Sequence, residues 1–266
     1  MYATKYHRPS SVDEAVAALA GADDGKLLAG GMTLLPTMKQ RLASPSDVVD
    51  LRHIADLSGV AVDGSFVTIG ATTTHAAVAG DAALRSACSA VCELAGGIGD
   101  PHVRNMGTIG GSIANNDPAA DYPAAIMALN ATVHTNQRSI DADDFFTGMF
   151  ETALEDNEVI SSVTFDAPEK AGYAKFDNPA SRYAMAGVFV ARKVDGSVRV
   201  GVTGAGQGGV FRLTALEDAL VSNWSADAAA GVSVDAEAML SDIHGDGAYR
   251  ANLVKVMAER AISAAG

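Results

Sequence analysis

The chain has 266 residues, of which 48% are hydrophobic, and it is long enough to bury a large core. Its 32 acidic residues outnumber 19 basic residues, and the formal net charge of −13 argues against nucleic acids and anionic membranes as partners. No apolar run is long enough to span a membrane and the N-terminus lacks an apolar signal core, so we expect a soluble protein.

Residues 1–57 have the pattern of a small α/β unit. Ser11 and Glu14 have the spacing of a capping box at the start of a helix. A short apolar strand then leads into a glycine pair and a second helix. The predicted elements are a helix over 10–20, a strand over 26–31, a helix over 32–41 and a strand over 47–51.

Residues 58–170 form a second predicted unit, and the proline and charges at 166–170 indicate its boundary. Its elements are a strand over 65–71, a helix over 81–95, a glycine stretch at 107–112, a helix over 118–129, a strand over 131–135 and a strand near 160–165. The only two cysteines, Cys88 and Cys92, lie in the first helix. We expect buried free thiols in a reducing cytoplasm, so redox chemistry requires a bound cofactor.

Residues 171–266 favour a third unit of the α+β class. Three strands of an antiparallel sheet are predicted from GYAKF, AMAGVFVARKV and SVRVGVTGAG, followed by helices at about 214–223 and 247–264.

Three glycine clusters are candidates for phosphate or dinucleotide binding, because glycine lets backbone N–H groups approach a ligand. They are AGGMT at 29–33, GTIGGS at 107–112 and GAGQGG at 204–209. The third matches the G-x-G-x-x-G pattern of a nicotinamide dinucleotide site. We favour a hairpin or a loop turn there, because FRLT follows it and no helix opens. An NAD(P)-dependent dehydrogenase that uses this motif is the alternative.

The histidines show no metal-ligand spacing, and no catalytic residue or metal site is predicted. His102 precedes the central glycine stretch and is the one histidine considered for the site.

Two long segments together resemble a known family. AGGMTLLPTMKQR at 29–41 and VRNMGTIGGSIANNDPAADYPAAIMAL at 103–129 are similar to the flavin-binding medium subunit of the molybdenum hydroxylases, and particularly to carbon monoxide dehydrogenase. The resemblance continues through NEVISSV, YAKFDNPASRYAMAGV and RVGVTGAG, and so covers nearly the whole chain.

The resemblance implies an α+β chain. A PCMH-type FAD-binding domain would consist of two α/β subdomains (1–57 and 58–170) with FAD between them. A C-terminal α+β domain (171–266) with a three-stranded antiparallel sheet and helices would follow.

The resemblance also implies which residues bind FAD. The first glycine segment and the second would wrap the diphosphate, Asp121 would accept from the ribityl hydroxyls, and Ile160 would pack on the cofactor. Lys175 would reach the flavin and Tyr183 would shield its ring. The full set is Lys26, Leu27, Leu28, Ala29, Gly30, Gly31, Met32, Thr33, Leu34, Gly107, Thr108, Gly110, Gly111, Ser112, Asp121, Ile160, Lys175 and Tyr183.

The chain departs from the family pattern at Met32, where carbon monoxide dehydrogenase-like members have histidine. The backbone N–H groups of this segment are still expected to bind the diphosphate, and the Met32 thioether can pack on the flavin. A non-enzymatic scaffold subunit that has lost its flavin is a further alternative.

By the same resemblance, the chain would work with a small subunit carrying [2Fe–2S] clusters and a large molybdenum-cofactor subunit. Electrons would pass from the clusters through FAD to an external acceptor, either a quinone or NAD.

Overall fold

The computed structural model describes residues 1–266. Its N-terminal sheet contains β1 (Lys5–His7), β2 (Gly25–Leu28) and β3 (Asp47–Asp50), which pair in parallel in the order β1-β3-β2. Helices α1 (Val12–Ala20) and α2 (Leu34–Lys39) connect these strands, and two short 3-10 helices (Leu51–His53 and Ala55–Leu57) follow β3. The predicted helices and strands of this region are all present.

Helix α1 begins at a side-chain cap, with one difference from the predicted capping box. The hydroxyl of Ser11 accepts a hydrogen bond from the backbone N–H of Glu14 at 3.2 Å. The Glu14 carboxylate, however, accepts from the N–H and hydroxyl of Ser10 at 2.7 and 2.9 Å, instead of from Ser11. The cap still satisfies donors that the helix leaves unpaired at its start.

The central sheet is antiparallel. It contains β4 (Val60–Asp63), β5 (Phe66–Gly70), β6 (Thr132–Thr135), β7 (Ser139–Asp141) and β10 (Ile160–Asp166), in the order β4-β5-β10-β6-β7. A separate hairpin pairs β8 (Phe146–Gly148) with β9 (Glu151–Thr152). The helices of this region are α3 (His75–Gly80), α4 (Ala82–Ala87), α5 (Ser89–Gly96), α6 (Pro101–Met106), α7 (Ile109–Asn115), α8 (Tyr122–Leu129) and α9 (Ala142–Phe145).

The helix predicted over 81–95 is two helices, because the backbone of Cys88 leaves the helical region (φ −157°, ψ 85°) and separates α4 from α5. Cys88 and Cys92 are buried free thiols, as predicted. Burial raises the pKa of Cys88 to about 11, so its thiol stays protonated near neutral pH.

The central glycine stretch forms the first turn of a helix. Thr108 is the N-cap of α7, and its hydroxyl accepts from the N–H of Gly111 at 3.1 Å. Asn116 ends the helix with a left-handed backbone (φ 40°). The helix predicted over 118–129 begins only at Tyr122, because Asp117 holds a turn by accepting from the N–H of Ala119 at 2.9 Å.

The C-terminal sheet contains β11 (Lys170–Asp177), β12 (Ala184–Arg192), β13 (Val198–Thr203) and β14 (Phe211–Arg212), paired antiparallel in chain order. The three predicted strands are present. A fourth strand, β14, joins the edge and is too short to give a pattern in the sequence. Helices α10 (Thr214–Ser222), α11 (Ala226–Ala230) and α12 (Gly247–Ala265) follow, with a short 3-10 helix at Ala236–Ala238.

Strand β12 is covered on both faces. Phe189 and Ala191 join the hydrophobic core that contains α8, whereas Val188 and Val190 join the core that contains α12. Successive side chains of a strand point to opposite faces, so the C-terminal sheet lies between these two helices. This arrangement explains why nearly all of β12 is buried and apolar.

Strand β13 also fixes the segment that precedes α8. The hydroxyl of Thr203 donates to the carbonyl of Ala120 at 2.6 Å, and the N–H of Gly204 donates to the carbonyl of Pro118 at 2.8 Å. The C-terminal sheet therefore positions the residues next to Asp121.

None of the helices is both long enough and apolar enough to span a bilayer.

Candidate functional site

A cavity of about 600 Å³ lies between the N-terminal and central sheets. Its walls come from the segment after β2, the start of α7, the segment before α8 and the turn between β11 and β12. Of the residues that the sequence predicts for the site, all line this cavity except Lys175. The structure thus brings together residues from three distant parts of the chain.

The first wall is residues 29–34, between β2 and α2. None of the backbone N–H groups in this segment donates a hydrogen bond within the chain. Gly31 has a left-handed backbone (φ 71°), which glycine adopts without the steric cost of a side chain. Consecutive unpaired amides at a cavity wall form a concave site suited to an anion.

The two glycine segments touch each other at Gly30. A Cβ atom added to Gly30 would lie 2.0 Å from the carbonyl oxygen of Met106 and 2.7 Å from the Cα of Gly107. Any side chain at position 30 would therefore push the two glycine segments apart. This contact is a structural reason for glycine here, separate from ligand binding.

The second segment offers fewer free amides than the sequence predicts. The N–H of Gly110 donates to the carbonyl of Ala71 at 2.9 Å, that of Gly111 to the hydroxyl of Thr108, and that of Ser112 to the carbonyl of Thr108 at 3.0 Å. These amides are used in holding α7 in place. What remains for a ligand on this side is the N–H of Thr108 and the hydroxyl of Ser112.

Asp121 lies in the cavity wall and is 5% exposed. Its Oδ1 accepts from the hydroxyl of Tyr173 at 2.6 Å and is 2.9 Å from the Nζ of Lys175. Burial raises the pKa of the Asp121 carboxyl, and the Lys175 ammonium and the Tyr173 hydroxyl oppose that rise. Both contacts fall on one oxygen, which leaves Oδ2 to accept from a ligand hydroxyl.

Lys175 stands behind the wall and not in it. Its Nζ contacts Asp121, donates to the carbonyls of Gly97 and Arg182 at 3.0 and 3.2 Å, and lies 3.3 Å from Asp177. Lys175 is therefore not among the residues that line the cavity. The charge of Lys175 acts on the cavity through Asp121.

Tyr183 and Ile160 line the cavity at different depths. Tyr183 is 47% exposed, whereas Ile160 is buried. Burial raises the pKa of the Tyr183 hydroxyl, with a further contribution from the charges of Asp117 and Asp121. Tyr183 therefore presents a neutral aromatic side chain near the opening of the cavity.

His75, Asp117 and Arg182 also line the cavity, and none of them was predicted as a site residue from the sequence. His75 is buried at the start of α3, its N–H donates to the carbonyl of Gly107 at 2.9 Å, and its Nδ1 has no hydrogen-bond partner. Burial, with a smaller contribution from Arg104, lowers the pKa of His75 to about 4, so the ring is neutral near pH 7. His102, the histidine considered from sequence, does not line the cavity.

The third glycine cluster, at 204–209, lies outside the cavity lining. It connects β13 to β14, which are antiparallel neighbours. A nicotinamide dinucleotide site needs a parallel strand–turn–helix unit, and none is present here. The hairpin prediction is confirmed, and the alternative of a dehydrogenase using GAGQGG is wrong.

A cavity between the N-terminal and central sheets with a row of unpaired amides fits a dinucleotide cofactor. The family described as "FAD binding domain in molybdopterin dehydrogenase" matches residues 2–167. The chain belongs to this family, the FAD-binding medium subunits of the molybdenum hydroxylases.

Relatives of known activity match almost end to end. The nicotine 6-hydroxylase medium subunit of Paenarthrobacter nicotinovorans is 35% identical, over 99% of this chain and 98% of that protein. The carbon monoxide dehydrogenase medium chain of Hydrogenophaga pseudoflava is also 35% identical, over 98% of this chain and 96% of that protein. These relatives are oxidoreductase subunits, and their names refer to different substrates.

Solved structures agree with the fold. Reconstituted CO dehydrogenase from Oligotropha carboxidovorans contains a chain with a TM-score of 0.90 at 34% identity, covering 99% of this chain and 97% of that one. Quinoline 2-oxidoreductase from Pseudomonas putida 86 gives a TM-score of 0.88 at 28% identity, covering 99% and 96%.

Proposed function

We propose that the cavity binds FAD with its diphosphate against residues 29–34. The observation that carries this proposal is the row of unpaired backbone N–H groups there, because oriented amides can meet two negative charges without lysine or arginine. Lys26 lies at the edge of the same wall and adds a positive charge. From the second segment we expect contributions from Thr108 and the hydroxyl of Ser112.

The remaining wall residues have distinct roles in this proposal. Asp121 accepts from the ribityl hydroxyls through Oδ2, and Ile160 packs against the cofactor. Tyr183 covers the isoalloxazine ring near the opening. Lys175 is a positioning residue, since it holds the Asp121 carboxylate and keeps a positive charge close to the cavity.

We further propose that the chain is the electron-transfer subunit of a molybdenum-containing dehydrogenase. Its relatives are named medium subunits or medium chains, a name that belongs to proteins with companion subunits. A [2Fe–2S] small subunit would deliver the electrons and a molybdenum-cofactor large subunit would oxidise the substrate. FAD, when bound, supplies the ability to accept single electrons and to pass on one or two to an external acceptor.

The boundaries near residues 57 and 170, which separate two FAD-binding subdomains from a C-terminal domain, are part of the proposal. Each of the four sheets lies within one of these segments, except that β11 begins at Lys170, the last residue of the second segment. A cytoplasmic location is also proposed, and the two buried free thiols support it because secreted proteins usually pair their cysteines.

The test is FAD retention measured by visible absorption after incubation with FAD and desalting. Met32 is 39% exposed and lines the cavity beside the unpaired amides. Met32→Glu places a negative charge against the proposed diphosphate and is expected to weaken FAD binding more than about tenfold, which is 1.4 kcal/mol. Met32→Gln has the same shape without the charge and is the matched control.

Equal FAD affinity for the two variants would contradict the diphosphate position. A wild-type chain that retains no flavin, alone or with its companion subunits, would contradict the flavin assignment itself and favour a scaffold subunit.

A further inference from the structure

A second pocket, open and of about 500 Å³, lies beside the flavin cavity. It shares Gly99 and Arg182 with that cavity, and Arg182 precedes Tyr183 in the chain. Apart from glycines and Pro179, its lining consists of polar or charged side chains, namely Arg104, Asp177, Asn178 and Arg182. The proposed function does not use this pocket.

Two guanidinium groups converge at the pocket on a single carbonyl oxygen. Nη1 of Arg104 donates to the carbonyls of Ile98 and Gly99 at 3.0 and 2.9 Å. Nη1 of Arg182 donates to the same Gly99 oxygen at 3.4 Å. Two positive charges held this close repel each other unless an anion lies near them.

Neither arginine forms an ion pair, although the chain has 32 acidic residues. The arginine–carboxylate pairs of the chain are made by Arg52, Arg138, Arg192, Arg199, Arg212 and Arg250. Asp177, the carboxylate in the pocket, is 3.3 Å from Lys175. The nearby Asp100 caps α6 by accepting from the N–H of Val103 at 3.0 Å.

Asn178 adds a donor that has no hydrogen-bond partner in the chain. It is 8% exposed, and its Oδ1 accepts from the N–H groups of Ala180 and Ser181 at 2.9 and 3.3 Å. These bonds fix the amide, and its Nδ2 donates to no group of the chain. A buried amide with a free N–H in a pocket wall is a ready donor for a ligand oxygen.

The backbone that carries Arg182 is held in an uncommon conformation. Arg182 has a left-handed φ of 62°, and its carbonyl accepts from the Nζ of Lys175 at 3.2 Å. Left-handed backbone at a residue other than glycine is strained and is concentrated at functional sites. The turn therefore holds the guanidinium of Arg182 next to that of Arg104.

We propose that this pocket binds the phosphoryl group of a phosphorylated small molecule. Arginine forks match the oxygens of a phosphate in pairs, and the lining offers little apolar surface for a neutral quinone. The pocket adjoins the flavin cavity beside Tyr183, so the ligand is an electron acceptor that carries phosphate. That role rests on the proposed function, whereas phosphate binding itself does not.

Binding is measured by titration calorimetry of the full-length chain, both FAD-loaded and FAD-free. The probes are inorganic pyrophosphate, NAD⁺ and, as an uncharged control, adenosine. We expect the two phosphate probes to bind and adenosine not to bind. Higher ionic strength is expected to weaken binding, because the pocket is open to solvent.

Asn178→Asp is the sharpest variant, because an aspartate keeps the acceptor for the N–H groups of Ala180 and Ser181 and replaces the free donor with a negative charge. We expect at least a tenfold loss of affinity for the phosphate probes. Arg104→Gln is expected to give a loss of the same size. Arg85→Gln is the control, because Arg85 also donates to a backbone carbonyl and lies outside both pockets.

Stronger binding of NAD⁺ than of pyrophosphate identifies a nucleotide ligand, and equal binding identifies a smaller phosphorylated ligand. Absence of phosphate binding, or unchanged binding in Asn178→Asp, overturns the proposal. Arg104 and Asn178 lie outside the flavin cavity lining. A chain that retains FAD but binds neither phosphate probe therefore refutes this pocket alone.

Discussion

At the scale of single residues, Asp121 and Lys175 form a buried ion pair at the wall of the flavin cavity. Their side chains are 5% and 7% exposed, so both charges have lost most of their hydration. Removal of either side chain is expected to destabilise the fold, because it leaves the other charge buried without a partner. The lysine predicted to touch the flavin thus has a role that does not require contact with it.

His75 makes folding stability depend on pH. Its folded pKa of about 4 lies below the ordinary value of 6.5, so between these values the unfolded chain binds more protons than the folded chain. The contribution of neutral His75 to the free energy of unfolding is fully present above about pH 6.5. It is lost as the pH falls towards 4, by about 3 kcal/mol in total. We expect His75→Gln, which cannot titrate, to remove this part of the pH dependence.

The measurement is urea unfolding of the FAD-free wild type and His75→Gln at several pH values between 4 and 7.5. The free energy difference between the two proteins is expected to change steadily below pH 6.5. A constant difference across this range would show that His75 titrates normally in the folded chain.

Several residues of the site could be predicted from sequence because glycine has a local meaning. Gly30 permits close approach to the backbone of Met106 and Gly107, and Gly31 adopts a left-handed φ of 71°. Whether a backbone amide is free to bind a ligand could not be predicted in this way, because its hydrogen-bond acceptor can come from a distant part of the chain. The amide of Gly110 is taken by Ala71, and no local pattern connects these two residues.

At the scale of elements, helix α8 is wedged between the central and C-terminal sheets. All of its residues from Tyr122 to Leu129 are buried. A Cβ added to Gly201 in β13 would lie 2.1 Å from the carbonyl oxygen of Ala124 in α8. The helix and the strand are thus in backbone contact, and Asp121 sits at the start of this helix.

Gly201→Ala is expected to displace α8, because the new methyl group would meet backbone atoms that cannot rotate away. We expect a loss of about 1–3 kcal/mol in the free energy of unfolding, typical of overpacking, together with weaker FAD binding. Chemical denaturation and flavin absorption measure the two effects.

Gly208→Ala is the matched control, because a Cβ at Gly208 would have no atom within 4 Å. It lies in GAGQGG, so unchanged FAD binding in this variant also agrees with a plain hairpin. Equal stability of the two variants would show that α8 can move without cost.

Helix and strand positions followed from periodicity, but some of their ends did not. The break at Cys88 and the helix that begins after Thr108 depend on packing against other elements. Gly110 and Gly111 weaken the helical pattern, yet a helix forms there because Thr108 caps it. Glycine is needed at position 110 because Ala71 leaves no room for a side chain.

At the scale of the whole molecule, the family model matches only as far as residue 167, whereas the flavin cavity also depends on residues beyond that position. Tyr183 lines it, Lys175 supports it, and Thr203 fixes the segment before Asp121. Apolar residues in all three predicted strands, with β-branched valines in β12 and β13, made the C-terminal sheet predictable from sequence. Its contribution to the cavity was suggested only by the family resemblance, because the contacts are distant in the chain.

A chain truncated to residues 1–167 is expected to expose the side of α8 that packs on β12 and β13. Exposed apolar surface of this kind favours association, so we expect aggregation and no retained FAD. Size-exclusion chromatography with flavin absorption measures both.

Addition of residues 168–266 as a separate chain is expected to restore FAD binding at least in part. A truncated chain that stays monomeric and holds FAD as tightly as the full chain would contradict this dependence on the C-terminal sheet.

The bonds from Thr203 and Gly204 to the carbonyls of Ala120 and Pro118 have an evolutionary consequence. Recombination between related genes that exchanged only the C-terminal sheet would have to match the turn at 118–121 as well as the strands. The turn at 118–121 and the end of β13 are therefore expected to be inherited together. A hybrid of two relatives is expected to fold best when both of these segments come from the same parent.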